Sequence, residues 1–207
     1  AGSTIVGTTL SSPEGRSKKL TVLLRMKICF NILLLIAILV INAVCQGQAA
    51  SNILPIYIRS EGCNDPGITG CGRAVIRVNG NDVSQRKRGY NIVVVNGNTG
   101  LVESSKSFDT YGNDHAPTGM IWHLHNIQKG KLVLVAIQDE GSKKMSNAAY
   151  DALKKFGASN QIRHNHRSSY ALLGWSGDGQ FSAVTQVQRK SSEGPSIIST
   201  VLSIPLL

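Results

Sequence analysis

Two runs constrain the fold of this chain more than any other feature: Tyr90-Asn91-Ile92-Val93-Val94-Val95 and Lys131-Leu132-Val133-Leu134-Val135-Ala136-Ile137. Both are β-branched, apolar and of strand length. Neither alternates as a half-solvated strand does, so both are read as buried on two faces. Leu54 to Arg59 and Arg73 to Val78 are further strand candidates, the second followed by turn chemistry at Asn79-Gly80-Asn81-Asp82. Asn96-Gly97-Asn98-Thr99-Gly100 bends the chain into Leu101-Val102, and strand character returns at Tyr170 to Leu173, Phe181 to Val187 and Ile197 to Ile204. From Ser146 the period changes. Met145, Ala149, Leu153 and Phe156 recur at helical spacing, with Ser146 placed as N-cap and Gly157 placed to end the helix. Pro117 to Gln128 is the other helical candidate, weakened by Gly119. Strands interleaved with few helices argue for an α+β domain, a β-sandwich of antiparallel sheets flanked by two or so helices.

The N-terminal segment reads as processing signal. Met26-Lys27-Ile28-Cys29-Phe30-Asn31 is a charged start, Ile32 to Val44 is almost wholly apolar, and Cys45-Gln46-Gly47-Gln48-Ala49-Ala50 is small or polar. An apolar run of this length fits the ~7–15 residues of a signal-peptide core better than the ~20 of a spanning helix. The expected organisation is therefore a leader or added sequence without function over residues 1–25, a signal peptide over 26–48 and one secreted domain over 49–207. A retained signal anchor is the competing reading.

Removing that segment changes the charge. Five of the 22 Lys+Arg and one of the 12 Asp+Glu precede Cys45, which leaves 17 minus 11, a net +6. Such an excess favours anionic partners at long range, sulfated or sialylated glycans among them. It is not a nucleic-acid footprint: the densest cluster, Arg86-Lys87-Arg88, is short and no nucleic-acid motif accompanies it. Cys63 and Cys71 remain, separated by Asn64-Asp65-Pro66-Gly67-Ile68-Thr69-Gly70, a sequence able to fold back so that the sulfurs meet in an oxidising compartment. Closing so short a loop stabilises by ~2–3 kcal/mol in the chain-entropy picture. A zinc site would need a second Cys or His pair nearby, for which the sequence gives no support.

Arg88-Gly89-Tyr90-Asn91-Ile92-Val93-Val94-Val95-Asn96, Phe108-Asp109-Thr110-Tyr111 and Asp139-Glu140-Gly141-Ser142 occur in an order and spacing that resemble an ILEI domain. The helix closed by Phe156-Gly157 and the stretch Tyr170 to Gly174 add to the likeness, which covers about Tyr57 to Gly179. The interleukin-like EMT inducer family includes small secreted signalling proteins, and its domain also forms the glycan-binding stem of protein O-mannose N-acetylglucosaminyltransferase. The resemblance implies the same α+β fold and a secreted binding module. It also implies a sugar site. In the transferase stem a sugar is held by an arginine before the first-patch glycine, the aspartate opening Asp-Glu-Gly-Ser, and an arginine before the late aromatic strand. Here those positions are Arg88, Asp139 and Arg167. A carboxylate accepts from vicinal hydroxyls and guanidinium groups donate to ring, hydroxyl or N-acetyl oxygens, so the residue types suit the task. The competing reading is that Asp139 pairs with one arginine as a structural ion bridge. Relatives follow the late arginine with Asp and an aromatic, whereas Arg167 is followed by Ser168, Ser169 and Tyr170, which alters the hydroxyl that can be engaged. Tyr111, Trp175 or Tyr170 could stack on a sugar's apolar side, burial in a strand being the commoner fate for Tyr170. Cytokine-like relatives carry additional cysteines that this chain lacks.

The histidines do not assemble into a metal site on this reading. His123 and His125 fall in a helical candidate, where i and i+2 point apart, while His164 and His166 lie in a polar loop and are expected to be exposed. No nucleophile elbow, zincin motif, phosphate loop or glycosidase carboxylate pair is present, and Glu140 faces away from Asp139 as a strand neighbour. The expectation is a non-enzymatic secreted lectin without cofactor or metal, recognising N-acetylhexosamine-type sugars through Arg88, Asp139, Arg167, Tyr111 and Trp175. It binds glycans or glycoproteins, neither nucleic acid nor membrane, as a non-covalent homo-oligomer. A cytokine-like ligand for a cell-surface receptor is the alternative. The tail from Gln180 to Leu207 is either one more strand of the core or an interface strand.

Overall fold

The two unbroken apolar runs lie side by side. The computed structural model describes residues 26–27, 30–37, 51–160, 162–178 and 183–205. Its strands are β1 (Ser51–Gly62), β2 (Ala74–Val78), β3 (Asn81–Asp82), β4 (Gly89–Asn96), β5 (Val102–Phe108), β6 (Lys131–Asp139), β7 (Ser169–Ser176), β8 (Thr185–Arg189) and β9 (Ser196–Pro205), with helices α1 (Ala116–His125) and α2 (Asn147–Lys154). The first run, in β4, pairs antiparallel with the second, in β6, from Gly89 opposite Gln138 to Asn96 opposite Lys131. Strand β7 adds to the other side of β6, and β5 and β8 close the edges, giving a layer β5-β4-β6-β7-β8. A second layer, β3-β2-β1-β9, joins it where the end of β1 runs parallel to β6 at Glu61–Gln138 and Gly62–Asp139.

Both faces of the central strands β4, β6 and β7 are dry, as their sequence requires. Val93, Val95, Leu132, Leu134, Ala171 and Leu173 face the second layer and pack on Leu54, Ile56, Ile58, Ile76 and Ile198. The alternate residues, Ile92, Val133, Val135, Ile137 and Leu172, face the helices and pack on Met120 and Leu124 of α1 and Ala149 and Leu153 of α2. Each such aliphatic side chain gains about 1.5–3 kcal/mol on full burial. Uncovering five of them on either face would therefore forfeit roughly 7–15 kcal/mol, as much as the whole stability of an ordinary domain. The fold is thus a helix-flanked β-sandwich of mixed, mainly antiparallel pairing, the α+β class read from the sequence.

Local signals account for most element ends. Ser146 caps α2 by accepting from the Ala149 amide at 3.2 Å, and Gly157 follows the helix at φ +93°. Pro117 sits in the first turn of α1, where a missing N–H is harmless. The Cys63–Cys71 disulfide is formed. The C-terminal tail is a core strand: β9 pairs with β1 from Ser51–Pro205 to Ser60–Ser196 and buries Ile198, Leu202 and Ile204. Strand β5 runs well beyond Leu101-Val102, where its apolar signal ends, because an edge strand of Glu, Ser and Lys needs only backbone pairing. Part of the expected strand at Phe181 and the whole stretch from Cys45 to Ala50 fall outside the described residues. The chain divides into two units, residues 1–49 and 50–207; in the first, residues 30–37 are helical, and no described helix is long and apolar enough to cross a membrane.

His164 is a correction. Its polar neighbours predict exposure, yet the ring is buried among Tyr90, Tyr150 and Tyr170, with Nδ1 against the Tyr90 hydroxyl and the backbone N–H donating to the Tyr150 hydroxyl at 3.1 Å. His166 is exposed as expected. Three aromatics, two of them fully buried, supply a pocket that a short loop can fill only by turning one imidazole inward.

Two outcomes follow from this packing. Gly89 holds φ +87°, and a Cβ there would lie 2.1 Å from the Phe108 carbonyl oxygen. Gly89→Ala is expected to destabilise the domain by about 3 kcal/mol, measured by urea unfolding. Burial pushes the His164 pKa down from 6.5 to about 3, so between those values the unfolded chain binds more protons than the folded one. Stability is then complete above about pH 6.5 and falls as pH drops toward about 3, at up to ~1.4 kcal/mol per unit at its steepest. His123, whose pKa burial also lowers, adds a slope of the same sign. His164→Gln should flatten this acid limb of the urea midpoint, and an unchanged limb would show that the imidazole is not buried.

Candidate carbohydrate site

Strand faces covered on both sides leave only the strand ends free for polar chemistry. One such end is the C-terminus of β6, where Gly62 of β1 pairs with Asp139 and Gly89 of β4 pairs with Gln138. Arg88 immediately precedes Gly89, so it arrives beside Asp139. Arg167 lies two residues before β7, the other neighbour of β6. Three residues distant in sequence thus meet at one edge of the sandwich.

Their backbone is unusual. Asp139 sits at φ +62° and Arg167 at φ +56°, both in the left-handed region that favours glycine. Holding a non-glycine residue there costs on the order of 1–3 kcal/mol, and such residues concentrate at ligand sites. Glu140 compensates. It is only 1% exposed, and its carboxylate accepts from the Ser142 hydroxyl at 2.6 Å, from the Ser142 amide at 2.5 Å and from the Arg167 backbone N–H. A carboxylate so buried is tolerated because it is this fully bonded. Thr110 ties in a third loop, its hydroxyl donating to the Gly141 carbonyl at 2.8 Å and its carbonyl accepting from the Lys144 amide at 2.8 Å.

The arginines are held by separate partners. Arg88 forms a two-pronged bond to Asp109, Nε to Oδ1 at 3.0 Å and NH2 to Oδ2 at 2.7 Å, and lies 4.8 Å over the Tyr111 ring. That bond holds Asp109 below the usual carboxylate range. The pair is more than a third exposed on each side, so it adds little to stability and serves to orient the guanidinium. Arg167 donates from NH1 to the Asn64 side-chain carbonyl at 2.8 Å. Asp139 is bridged to neither. Among the described residues its carboxylate has no hydrogen bond and no ion pair; burial pushes its pKa up, while Arg167 and then Arg88 pull it back. The structural ion bridge considered from sequence is therefore not the arrangement found.

The aromatic candidates separate. Tyr111 is at the site, but its ring carries Arg88 and, at 4.7 Å, the exposed Lys143. Tyr170 is fully buried, its hydroxyl bonded to Gln186 at 2.9 Å. Trp175 pairs with Leu132 at the opposite end of β6, seven residues and roughly 23 Å along the strand from Asp139. It packs against the inter-sheet core and the backbone at Gly97 and does not reach the other four residues. Asp109, Glu140, Asn64 and Lys143 are the partners that sequence reasoning missed. Only Asp109 and Glu140 carried a signal, since both lie within the recurring patches.

The group with ligand geometry near Asp139 that includes two cysteines offers no metal ligand pair, because Cys63 and Cys71 are bonded to each other. What the arrangement offers is an ionisable acceptor flanked by two fixed cationic donors. That set can take hydroxyl donors on one side and carbonyl or ring oxygens on the other.

Residues 88–178 match the family described as Interleukin-like EMT inducer, ILEI. Protein FAM3C of Rattus norvegicus is 36% identical over 90 residues, 44% of this chain and 39% of that protein. Protein FAM3D of Homo sapiens is 36% identical over 87 residues, 42% of this chain and 38% of that protein. The cell migration-inducing and hyaluronan-binding protein of Mus musculus is 24% identical over 107 residues, 52% of this chain and 8% of that protein. The chain spans about two fifths of the length of the FAM3 relatives. The matched residues run from Arg88 through β4, β6 and β7 and include Asp139 and Arg167, so that it is over residues 88–178 that the chain matches the ILEI domain.

Proposed function

We propose that this chain is a secreted, non-enzymatic lectin that binds N-acetylhexosamine-type sugars at Arg88, Asp139 and Arg167. The observation that carries this reading is the state of Asp139: a half-buried carboxylate without a protein partner, between two guanidinium groups held by other residues. An acceptor left open in this way stands ready for the hydroxyls of a ligand. A half-buried ion otherwise finds a partner in the protein. The hyaluronan-binding relative supports a saccharide ligand, since N-acetylglucosamine is a unit of hyaluronan. The signal-like segment before residue 49 and the disulfide support an extracellular setting. Two arginines and one carboxylate call for no calcium, unlike sites built from clustered carboxylates. The outward-facing Ile53, Ile197 and Val201 of β1 and β9 supply apolar surface for a non-covalent homo-oligomer.

The second reading, a cytokine-like receptor ligand, is favoured by the match to the family described as Interleukin-like EMT inducer. Cell-surface binding that free sugar does not displace would favour it over the lectin.

Calorimetric titration with a β-linked N-acetylglucosamine oligosaccharide tests the site. Arg88→Ala, Asp139→Ala and Arg167→Ala should each lose ~1.5–3 kcal/mol of binding with unchanged circular dichroism, the scale of one charge-assisted bond. Chelator should leave the affinity of the unmodified protein unaltered; unchanged affinity in two of the three variants would remove the assignment.

The left-handed backbone gives a second outcome. Asp139→Gly should weaken binding as much as Asp139→Ala while raising stability by about 1 kcal/mol, because glycine relieves the φ +62° conformation. A variant both weaker in binding and less stable would mean that the carboxylate holds the fold.

A further inference from the structure

We infer that Asn64, in the loop closed by the Cys63–Cys71 disulfide, is a positioning residue that aims the Arg167 guanidinium at the ligand; this rests on the glycan-binding reading above. Arg167 has a fixed backbone but a long side chain. Its N–H is held by Glu140, and its carbonyl lies so close to Gly62 that a Cβ there would approach to 2.1 Å. Beyond the Cα, an arginine side chain carries ~2 kcal/mol of rotamer entropy and needs a partner to stay in place. Among the described residues no carboxylate forms an ion pair with it. The partner is the Asn64 amide oxygen, 103 residues away in sequence, at 2.8 Å.

The nature of that partner matters. Asp109 grips Arg88 with two bonds and cancels much of its charge. A neutral amide takes one of the five N–H donors of Arg167 and leaves the charge intact for a ligand. The two arginines are thus held differently, one by an ion pair and one by an amide.

Asn64 is itself pinned on both sides. Cys63 is fixed by the disulfide and by its N–H donating to the Asp139 carbonyl at 3.3 Å. Asp65 is buried, one oxygen accepting from the Gly62 amide at 2.8 Å and the other from the Gly194 amide at 3.2 Å. The Asn64 amide nitrogen donates to the Ser191 hydroxyl at 3.2 Å, which sets the orientation of its oxygen. The sulfurs of this loop and the Asp139 carboxylate lie within 4.8 Å of one another. Loop and carboxylate therefore form adjoining sides of the same site.

A double-mutant cycle with β-linked chitotriose as the probe tests the role. Asn64→Ala is expected to weaken binding about fivefold to tenfold, the effect of freeing one rotamer-rich side chain. In the Arg167→Ala background the same change should have no further effect, because Asn64 acts through that guanidinium. Ser191→Ala, which removes only the hold on Asn64, repeats the test more gently and should weaken binding about twofold in the unmodified background alone. Additive losses, or an Asn64→Ala protein of unchanged affinity while Arg167→Ala binds weakly, would overturn the inference and leave the lectin reading standing. An Arg167→Ala protein that binds as well as the unmodified one would overturn both.

Discussion

The structure depends on a single packing constraint: the strands β4, β6 and β7 are apolar on both faces, so each face must be covered by something else. The second sheet takes one side and the two helices take the other. With both faces dry, a polar residue on these strands has somewhere to go only at their ends or edges. Asn91 shows the alternative, buried inside β4 and answered by side-chain bonds to the Lys87 and Gly89 carbonyls at 2.6 and 3.3 Å. The candidate site occupies a strand end where three loops and the end of β1 converge.

Convergence of loops is not by itself order, and here a buried carboxylate provides it. Glu140 is next to Asp139 in sequence but turned inward, so one residue organises what its neighbour presents. It draws the turn after β6 and the segment before β7 together through backbone N–H groups, which no side-chain substitution elsewhere can replace. Asp139 and Arg167, both at left-handed φ, lie within one residue of its bonds or at them. The strain at Asp139 and Arg167 and the buried charge of Glu140 are parts of one device: each would be unfavourable alone, and together they hold two functional groups at a fixed edge.

Much of this was legible in the sequence, and the exceptions share a cause. The apolar runs of β4 and β6, the helix opened by Ser146, the Cys63–Cys71 bridge and the proximity of Arg88, Asp139 and Arg167 all follow from local pattern or from recurring patches. Strand β5 did not, because an edge strand is specified by its neighbour's backbone and its own residues are mostly polar. His164 was misread for a related reason: its burial is decided by Tyr90, Tyr150 and Tyr170, none adjacent to it in sequence. Trp175 was grouped with the site as an aromatic able to stack on a sugar, yet a strand of this length carries a residue from one pole of the sandwich to the other. Asn64 had no sequence signal at all, since its partner is 103 residues away.

The geometry also bears on how tightly such a site can bind. Among the described residues, none of the three aromatic candidates opens a face beside Asp139: Tyr111 lies under two cations, Tyr170 is inside, and Trp175 is at the far pole. The large apolar contribution that stacking normally makes is therefore missing. On the proposed lectin reading, three charge-assisted bonds of ~1.5–3 kcal/mol must offset an association cost of ~4 kcal/mol or more, which would leave a single sugar unit only weakly held. Fixing the donors beforehand, by Asp109 for Arg88 and by Asn64 for Arg167, is the remaining way to keep that balance favourable, since ordering long side chains on binding would add to the cost. A site of this kind discriminates by orientation more than it retains by strength, and retention then depends on several sugar units or several copies of the domain engaging at once.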